Sequence, residues 1–215
     1  MPATRNADKM SALPMKEKSI WFLLIVLIAG IVSLGSYWVF FKQEMRRSGL
    51  PIYDTVPYFT LTERSGKNVS LSDLKGEVWV ADFIFTNCAD SCPMMSNRMK
   101  DLQETAIQNG IRLVSFTVDL NRDTTDVLKS YADQYGAQGD RWLFLTGKEQ
   151  YIHQLAMNGF HLGVEKAQEQ NPILHSNKFV LVDRRGRIRG YYEDSTPEEK
   201  HELVRAITAL QKEPV

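Results

Sequence analysis

The sequence predicts an α/β fold, and one strand–helix–strand succession carries that prediction. Residues 78–85 form a largely apolar run of eight, which is typical of a buried strand in a parallel sheet. Apolar residues then recur at helical spacing from Met95 to Ala106, and Asn109 with Gly110 ends the predicted helix. A second predicted strand follows at residues 111–118.

The rest of the chain extends this α/β pattern. Residues 183–186 are a hairpin signal between two strands, and Thr196 with Glu199 forms a capping box that has Pro197 at the first helical position. This order, ending in a hairpin and a helix, predicts a thioredoxin-like fold. The remaining predicted strands are at 58–62, 142–145, 178–182 and 187–192, and the remaining predicted helices are at 123–135 and 148–158. A turn is predicted at 65–68, a short turn or helical segment at 70–76, and a polar surface excursion at 159–171.

A single transmembrane helix is predicted before this domain. Residues 20–41 contain no Lys, Arg, Asp or Glu, and 22 helical residues span about 33 Å, enough for a bilayer core. Trp21, Tyr37 and Trp38 lie where interfacial aromatic residues are expected. A cleaved signal peptide is the alternative, but its apolar region is normally shorter. The predicted organisation is a tail at 1–19, an anchor at 20–41, a linker at 42–57 and a domain at 58–215.

Charge restricts the partners, and the order of the segments indicates the compartment. Residues 1–47 carry seven Lys or Arg and three Asp or Glu, whereas residues 48–215 carry 19 and 23. An acidic domain is a poor nucleic-acid binder, so no nucleic-acid partner is expected. The order of tail, anchor and domain favours an inner (cytoplasmic) membrane protein with its domain in the periplasm. A mitochondrial inner membrane protein that faces the intermembrane space is the alternative.

Both cysteines lie in one motif at residues 86–93, Thr-Asn-Cys-Ala-Asp-Ser-Cys-Pro. Cys88 and Cys92 fall where the predicted strand ends and a helix begins, and free backbone N–H groups and the helix dipole favour thiolates there. Such a pair can exchange electrons as a disulfide or bind a soft metal. A structural disulfide and two inert core cysteines are the alternatives. The Cys-x-x-x-Cys spacing differs from the Cys-x-x-Cys of thioredoxin-like redox motifs.

His175 is the histidine that we expect to join the cysteines. It immediately precedes the predicted hairpin, in a loop that faces the cysteine turn in a thioredoxin-like fold. His201 lies in the polar start of the last helix, where a solvated side chain is expected, and His153 and His161 receive no role.

Two methionines directly after the motif and one aspartate in the strand before it need separate explanations. Met94 and Met95 bring thioethers near the cysteines, but packing of the helix is their expected role. Asp82 lies inside the apolar strand, where a carboxylate needs a partner that the sequence does not identify.

These residues together resemble the Sco/SenC family of membrane-anchored copper chaperones, over roughly residues 57–195. The family usually has proline after its first cysteine and after the aspartate of its second strand, where this chain has Ala89 and Leu120. Neither departure removes a ligand. The matching segments are Phe85–Pro93, Thr117–Asp119, Arg122–Thr124, Trp142–Gly147, His175–Ser176, Val182–Asp183 and Gly186.

The resemblance implies a copper site and a redox-active cysteine pair. Cys88, Cys92 and His175 would bind one copper, since thiolates suit Cu(I) and imidazole helps to accommodate Cu(II). Zinc is the alternative metal, but a structural zinc site normally has four protein ligands. Cys88 and Cys92 would also form the redox-active disulfide. Asp119, at the end of the second strand, is an expected outer group that orients a ligand or tunes the charge of the site.

The function that follows is a copper metallochaperone rather than an enzyme in the strict sense. The resemblance implies delivery of copper to the dinuclear copper site of cytochrome c oxidase. The expected partners are the oxidase subunit that holds this site and other copper chaperones. A thiol–disulfide oxidoreductase that keeps a partner's cysteines reduced is the main alternative. A copper or redox sensor is a third hypothesis.

Overall fold

The computed structural model describes residues 15–44, 49–87, 91–162, 177–193 and 196–214. The chain divides into two compact units, residues 1–46 and 47–215. The first unit contains helix α1 (Met15–Glu44). Within it, Ile20–Trp38 is long and apolar enough to cross a membrane by length and composition. The predicted membrane helix falls on this segment.

The second unit is built on a mixed sheet of eight strands in the order β1-β8-β7-β4-β5-β6-β2-β3. The strands are β1 (Asp54–Thr55), β2 (Thr60–Glu63), β3 (Asn68–Ser70), β4 (Trp79–Ile84), β5 (Arg112–Thr117), β6 (Trp142–Thr146), β7 (Phe179–Val182) and β8 (Arg187–Tyr192). The helices are α2 (Leu71–Leu74), α3 (Ser91–Asn109), α4 (Thr125–Gln134), α5 (Glu149–Gln154) and α6 (Pro197–Lys212), and a π-helical turn (Leu155–Gly159) continues α5.

Strand β4 lies in the middle of this sheet, and all six of its residues are buried. It pairs in parallel with β5 and antiparallel with β7. Helices α3 and α4 make the crossovers from β4 to β5 and from β5 to β6, as parallel pairing requires. The predicted α/β class and its central strand–helix–strand succession are confirmed.

Aromatic side chains fill the core on one side of the sheet. The Phe83 and Phe116 rings stack with their centroids 5.0 Å apart, and Phe160 packs edge-on against Phe83 at 5.2 Å. Aromatic pairs in these geometries contribute about 0.5–1.5 kcal/mol beyond the burial of their area. On neighbouring strands, the buried Trp142 Nε1 donates to Ser115 Oγ at 2.9 Å.

Two short strands differ from the sequence prediction. Residues 49–57, part of the predicted linker, contain β1, which pairs with β8, and the Tyr53 N–H donates to the Ile188 carbonyl at 2.9 Å. Strand β3 pairs with β2 within a segment predicted as a turn and a short helix. Strands of two or three residues are too short to show hydrophobic periodicity, so pairing rather than pattern defines them.

A buried ionic network fastens both ends of the second unit to the β7–β8 hairpin. Arg189, which is 3% exposed, donates to Asp183 at 2.9 Å and to Glu213 at 2.7 Å. It also donates to the backbone carbonyls of Leu50 and Pro51 at 2.8 and 3.0 Å. One guanidinium therefore joins the hairpin, the residue after α6 and the chain entering β1.

We expect Arg189→Met to lower the free energy of unfolding by about 3 kcal/mol, because it removes the buried guanidinium that pairs with both Asp183 and Glu213 and leaves Asp183 with its Arg187 ion pair alone. Chemical denaturation of the full-length chain in detergent measures this loss. The control is Lys200→Met, which removes a more exposed ion pair with Asp101 and should cost about 1 kcal/mol or less. Equal losses in the two variants would contradict the role given to the network.

Candidate metal centre

The cysteine motif lies at the edge of the sheet where two parallel strands end. Strands β4 and β5 run in the same direction, and their pairing continues past the strand ends, since the Val118 N–H donates to the Ile84 carbonyl at 2.9 Å. Thr86 and Asn87 leave the sheet here on the way to Cys88, and Asp119 leaves it beside them. The chain thus directs the motif and Asp119 to one edge.

Cys92 is the predicted copper ligand whose position the structure describes. It lies in the first turn of α3 and is 3% exposed. One turn further on, Ser96 Oγ and Tyr131 Oη form a buried hydrogen bond of 2.8 Å that joins α3 to α4. Burial raises the pKa of Tyr131, and the nearby Cys92 adds to that effect. Cys92 therefore lies on a helix that the core holds in place.

Cys88 and His175 lie outside the described residues, so their assignment stays a prediction. The described residues that flank them do constrain it. Strand β7 runs antiparallel to β4, with Val180 opposite Ala81, so β7 begins at the edge where β4 ends. His175 precedes Phe179, the first residue of β7, by four positions, and four residues reach at most about 14 Å. The histidine segment therefore joins the sheet at the same edge as the cysteine motif.

Asp119 lies at this edge with a largely buried carboxylate. Its side chain is 9% exposed, and the Arg122 guanidinium lies 3.8 Å from Oδ2. That oxygen has no hydrogen-bond partner within the described residues. A buried acceptor of this kind fits a group that receives a hydrogen bond from a ligand, which stays a prediction for Asp119.

Asp123 is a buried residue of this edge to which the sequence analysis gave no role. It is fully buried, and its carboxylate accepts hydrogen bonds from the Thr86 N–H at 3.1 Å, the Thr86 hydroxyl at 2.5 Å and the Thr117 hydroxyl. The sequence feature that marks Asp123 is the Arg-Asp-Thr segment after the second strand, where Asp123 is the first residue of a predicted helix. Nothing local to that segment indicates that its carboxylate contacts Thr86, 37 positions earlier.

The methionines beside the motif take different environments. Met95 is 1% exposed and packs in the core, as predicted, whereas Met94 is 46% exposed. The Arg98 guanidinium donates to the Met94 sulfur at 3.5 Å.

The other histidines lie in separate places. His201 is exposed on α6, as predicted. His161 Nε2 lies 2.6 Å from the Asp54 carboxylate. His153 lies on α5 and is half-buried.

Asp82 is a carboxyl group in the interior of the sheet. It is completely buried in β4, opposite Ser115 of β5, and neither carboxyl oxygen has a hydrogen-bond partner of good geometry within the described residues. Burial raises the pKa of Asp82 to about 7, although the neighbouring Ser115 hydroxyl partly opposes the rise. The side chain is therefore protonated over most of the acidic range, which removes the cost of a buried charge.

The fold and the position of the motif define a thioredoxin-like α/β protein whose cysteine motif follows the carboxyl end of its central strand. The SCO1/SenC family matches residues 50–211. A SCO1 protein homolog of Bacillus subtilis is 41% identical over 152 residues, covering 68% of this chain and 79% of that protein. The chain therefore belongs to the SCO1/SenC family.

Solved structures of the family share this fold. A SCO1/SenC family lipoprotein from Bacillus anthracis matches with a TM-score of 0.68 and 32% identity, covering 74% of this chain and 96% of that one. BsSco, described as a member of the Sco family of cytochrome c oxidase assembly proteins with a disulfide switch, matches with a TM-score of 0.65 and 36% identity, covering 75% and 96%.

Copper and thiol chemistry both occur among the similar proteins. A putative copper-binding protein of Stutzerimonas stutzeri is 30% identical, covering 66% of this chain and 71% of that protein. ScoI of Bradyrhizobium japonicum, solved with copper bound, has a TM-score of 0.58 at 23% identity, covering 70% and 98%, and supports the fold alone. The thiol-disulfide oxidoreductase ResA of Bacillus anthracis is 29% identical, covering 57% and 68%.

Asp82 should make the stability of this protein depend on pH. Between about pH 4 and 7 the folded chain keeps a proton that the unfolded chain releases, so stability falls as pH rises through that window, by at most about 1.4 kcal/mol per pH unit. Asp82→Asn removes this contribution. Denaturation from pH 4.5 to 7.5 should therefore show the parent losing stability relative to the variant.

The matched control for this experiment is Asp101→Asn, which changes an exposed carboxylate on α3. Its curve should stay parallel to that of the parent between pH 4.5 and 7.5. A constant difference between the parent and Asp82→Asn over the same range would show that Asp82 does not titrate there.

Proposed function

We propose that this protein is a copper metallochaperone that binds one copper ion through Cys88, Cys92 and His175. The observation that supports this most is the convergence of three chain segments at one edge of the sheet. The end of β4 leads to Cys88, α3 begins with a buried Cys92, and β7 begins four residues after His175. Two thiolates and one imidazole form a donor set that suits copper in both oxidation states.

Three ligands also suit a protein that must release its metal. A site with fewer ligands than the closed four-ligand sites of structural zinc leaves room for an incoming thiolate or imidazole. A partner can then take the copper by ligand exchange. We propose that this partner is the dinuclear copper subunit of cytochrome c oxidase, in keeping with the assembly role of the family to which BsSco belongs.

We further propose that α1 anchors the chain in the cytoplasmic membrane. The second unit, residues 47–215, would then lie on the outer, periplasmic side. The 19-residue segment Ile20–Trp38 supports the anchor. Confinement of donor and acceptor to one membrane surface raises the effective concentration of each for the other.

The cysteine pair also supports a second function, thiol–disulfide exchange with the same partner. Two thiols of this chain would reduce a partner disulfide to two thiols, and Cys88 and Cys92 would become a disulfide. The disulfide switch described for BsSco and the similarity to ResA favour this candidate. His175 has no required part in it.

We expect His175→Ala to weaken copper binding at least tenfold and to change the thiolate-to-copper charge-transfer absorption, because one of three ligands is lost. Titration of the reduced full-length chain in detergent with copper measures both quantities. His201→Ala is the matched control, since His201 is exposed on α6, and it should bind like the parent. Unchanged copper binding in His175→Ala would refute the ligand set.

The same variant separates the two functions. Copper-loaded parent should transfer copper to the reduced copper domain of cytochrome c oxidase, and His175→Ala should fail to do so. Reduction of the oxidised domain by the metal-free chain should be similar in both. A parent that reduces the domain but never transfers copper would support the oxidoreductase and contradict the chaperone.

A further inference from the structure

The Asp123 carboxylate ties together the ends of the two strands that lead to the proposed copper site. It receives three hydrogen bonds, two from Thr86 at the end of β4 and one from Thr117 at the end of β5. Its own backbone N–H donates to the Asp119 carbonyl at 2.8 Å, and its carbonyl accepts from the Thr146 hydroxyl at 3.3 Å. Three adjacent strands thus meet at one buried residue.

A carboxylate suits this position better than any other side chain of its size. Both oxygens face donors, and an ionised carboxylate has acceptors only. An amide in its place would point an NH₂ group at a donor or force a hydroxyl to reverse. No described Lys, Arg or His forms an ion pair with Asp123, so these hydrogen bonds are what offset its burial.

Thr86 is the residue through which this cluster can influence the copper site. It precedes Cys88 by two positions, so the two Cα atoms are at most about 7 Å apart. A hydrogen bond to its backbone N–H restricts the main chain itself, and the bond to its hydroxyl adds a second restraint. On the other side of the motif, Cys92 is held by its burial on α3. The motif is therefore restrained at Thr86 by hydrogen bonds and at Cys92 by burial.

We infer that Asp123 is a positioning residue for the cysteine pair, acting through Thr86. It holds the chain in front of Cys88 at a fixed place relative to Cys92, so that the two sulfurs are preorganised for copper or for a disulfide. This inference rests on the proposed function. Preorganised ligands bind more tightly because less chain entropy is lost on binding.

The direct test replaces Asp123 with asparagine and compares it with Asp183→Asn. Asp183 is also a buried aspartate, and it accepts hydrogen bonds from the Arg185 and Arg187 backbone and from the Arg189 side chain. It follows Val182, which pairs with Trp79 at the opposite end of β4. Both substitutions replace one buried carboxyl group with an amide, but only Asp123→Asn acts at the cysteine edge.

We expect Asp123→Asn to weaken copper binding roughly tenfold, the lower end of what outer groups contribute to metal affinity, and to alter the charge-transfer band. Asp183→Asn should leave both unchanged even where it lowers stability. The reduction potential of the Cys88–Cys92 pair, measured by equilibration with dithiothreitol, should also shift in Asp123→Asn alone. All measurements use the full-length chain in detergent.

A second pair of variants leaves Asp123 itself intact, in case Asp123→Asn does not fold. Thr86→Val removes the hydroxyl that donates to Asp123 and should move the absorption band and the potential in the same direction. Thr86→Ser restores the hydroxyl and should restore both values. A variant that acts only through general stability would leave the absorption band and the reduction potential of the folded protein unchanged.

The outcomes separate this inference from the proposed function. If the parent binds copper and both Asp123→Asn and Thr86→Val bind it with the parent's affinity, band and potential, the positioning role is refuted and the copper function stands. If the parent itself binds no copper, the proposed function fails, and the reduction potential decides the role of Asp123. A shift confined to Asp123→Asn and Thr86→Val supports that role, and identical potentials in all variants refute it.

Discussion

The burial of β4 is the constraint on which the rest of the structure depends. The strand has a paired neighbour on each side, and all six of its residues are buried. A chain that leaves such a strand must emerge at an edge of the sheet. The cysteine motif begins there because β4 ends there. The same burial explains why Asp82 holds its proton up to about pH 7.

Strand direction then decides what meets the cysteine motif. The parallel neighbour β5 ends at this edge and brings Asp119 and Asp123, whereas the antiparallel neighbour β7 begins at it, a few residues after His175. The two predicted cysteine ligands are four positions apart in the chain, and the antiparallel direction of β7 leads the segment with the predicted histidine ligand to the same edge. The Asp123 carboxylate accepts two hydrogen bonds from Thr86. These bonds restrain the position of the main chain just before Cys88.

The sequence predicted those parts of the fold that local pattern determines. The apolar run at residues 78–85 and the helical spacing from Met95 to Ala106 indicate β4 and α3 because burial imposes periodicity on long elements. Strand β1 escaped prediction, since two residues paired with β8 carry no periodic pattern. The candidate site likewise has a part that the sequence predicts and a part that it does not. Residue type and family resemblance predicted its ligands, but the contact of Asp123 with Thr86 exists only after β4 and β5 have paired.

The central claim is that one copper ion binds to two sulfur atoms and one imidazole nitrogen at this edge of the sheet. X-ray absorption at the copper edge, recorded on the full-length chain loaded with one equivalent of Cu(I), counts those ligands directly. The account predicts two sulfur ligands and one nitrogen ligand per copper. A spectrum with a single sulfur, or with nitrogen and oxygen ligands alone, would contradict it.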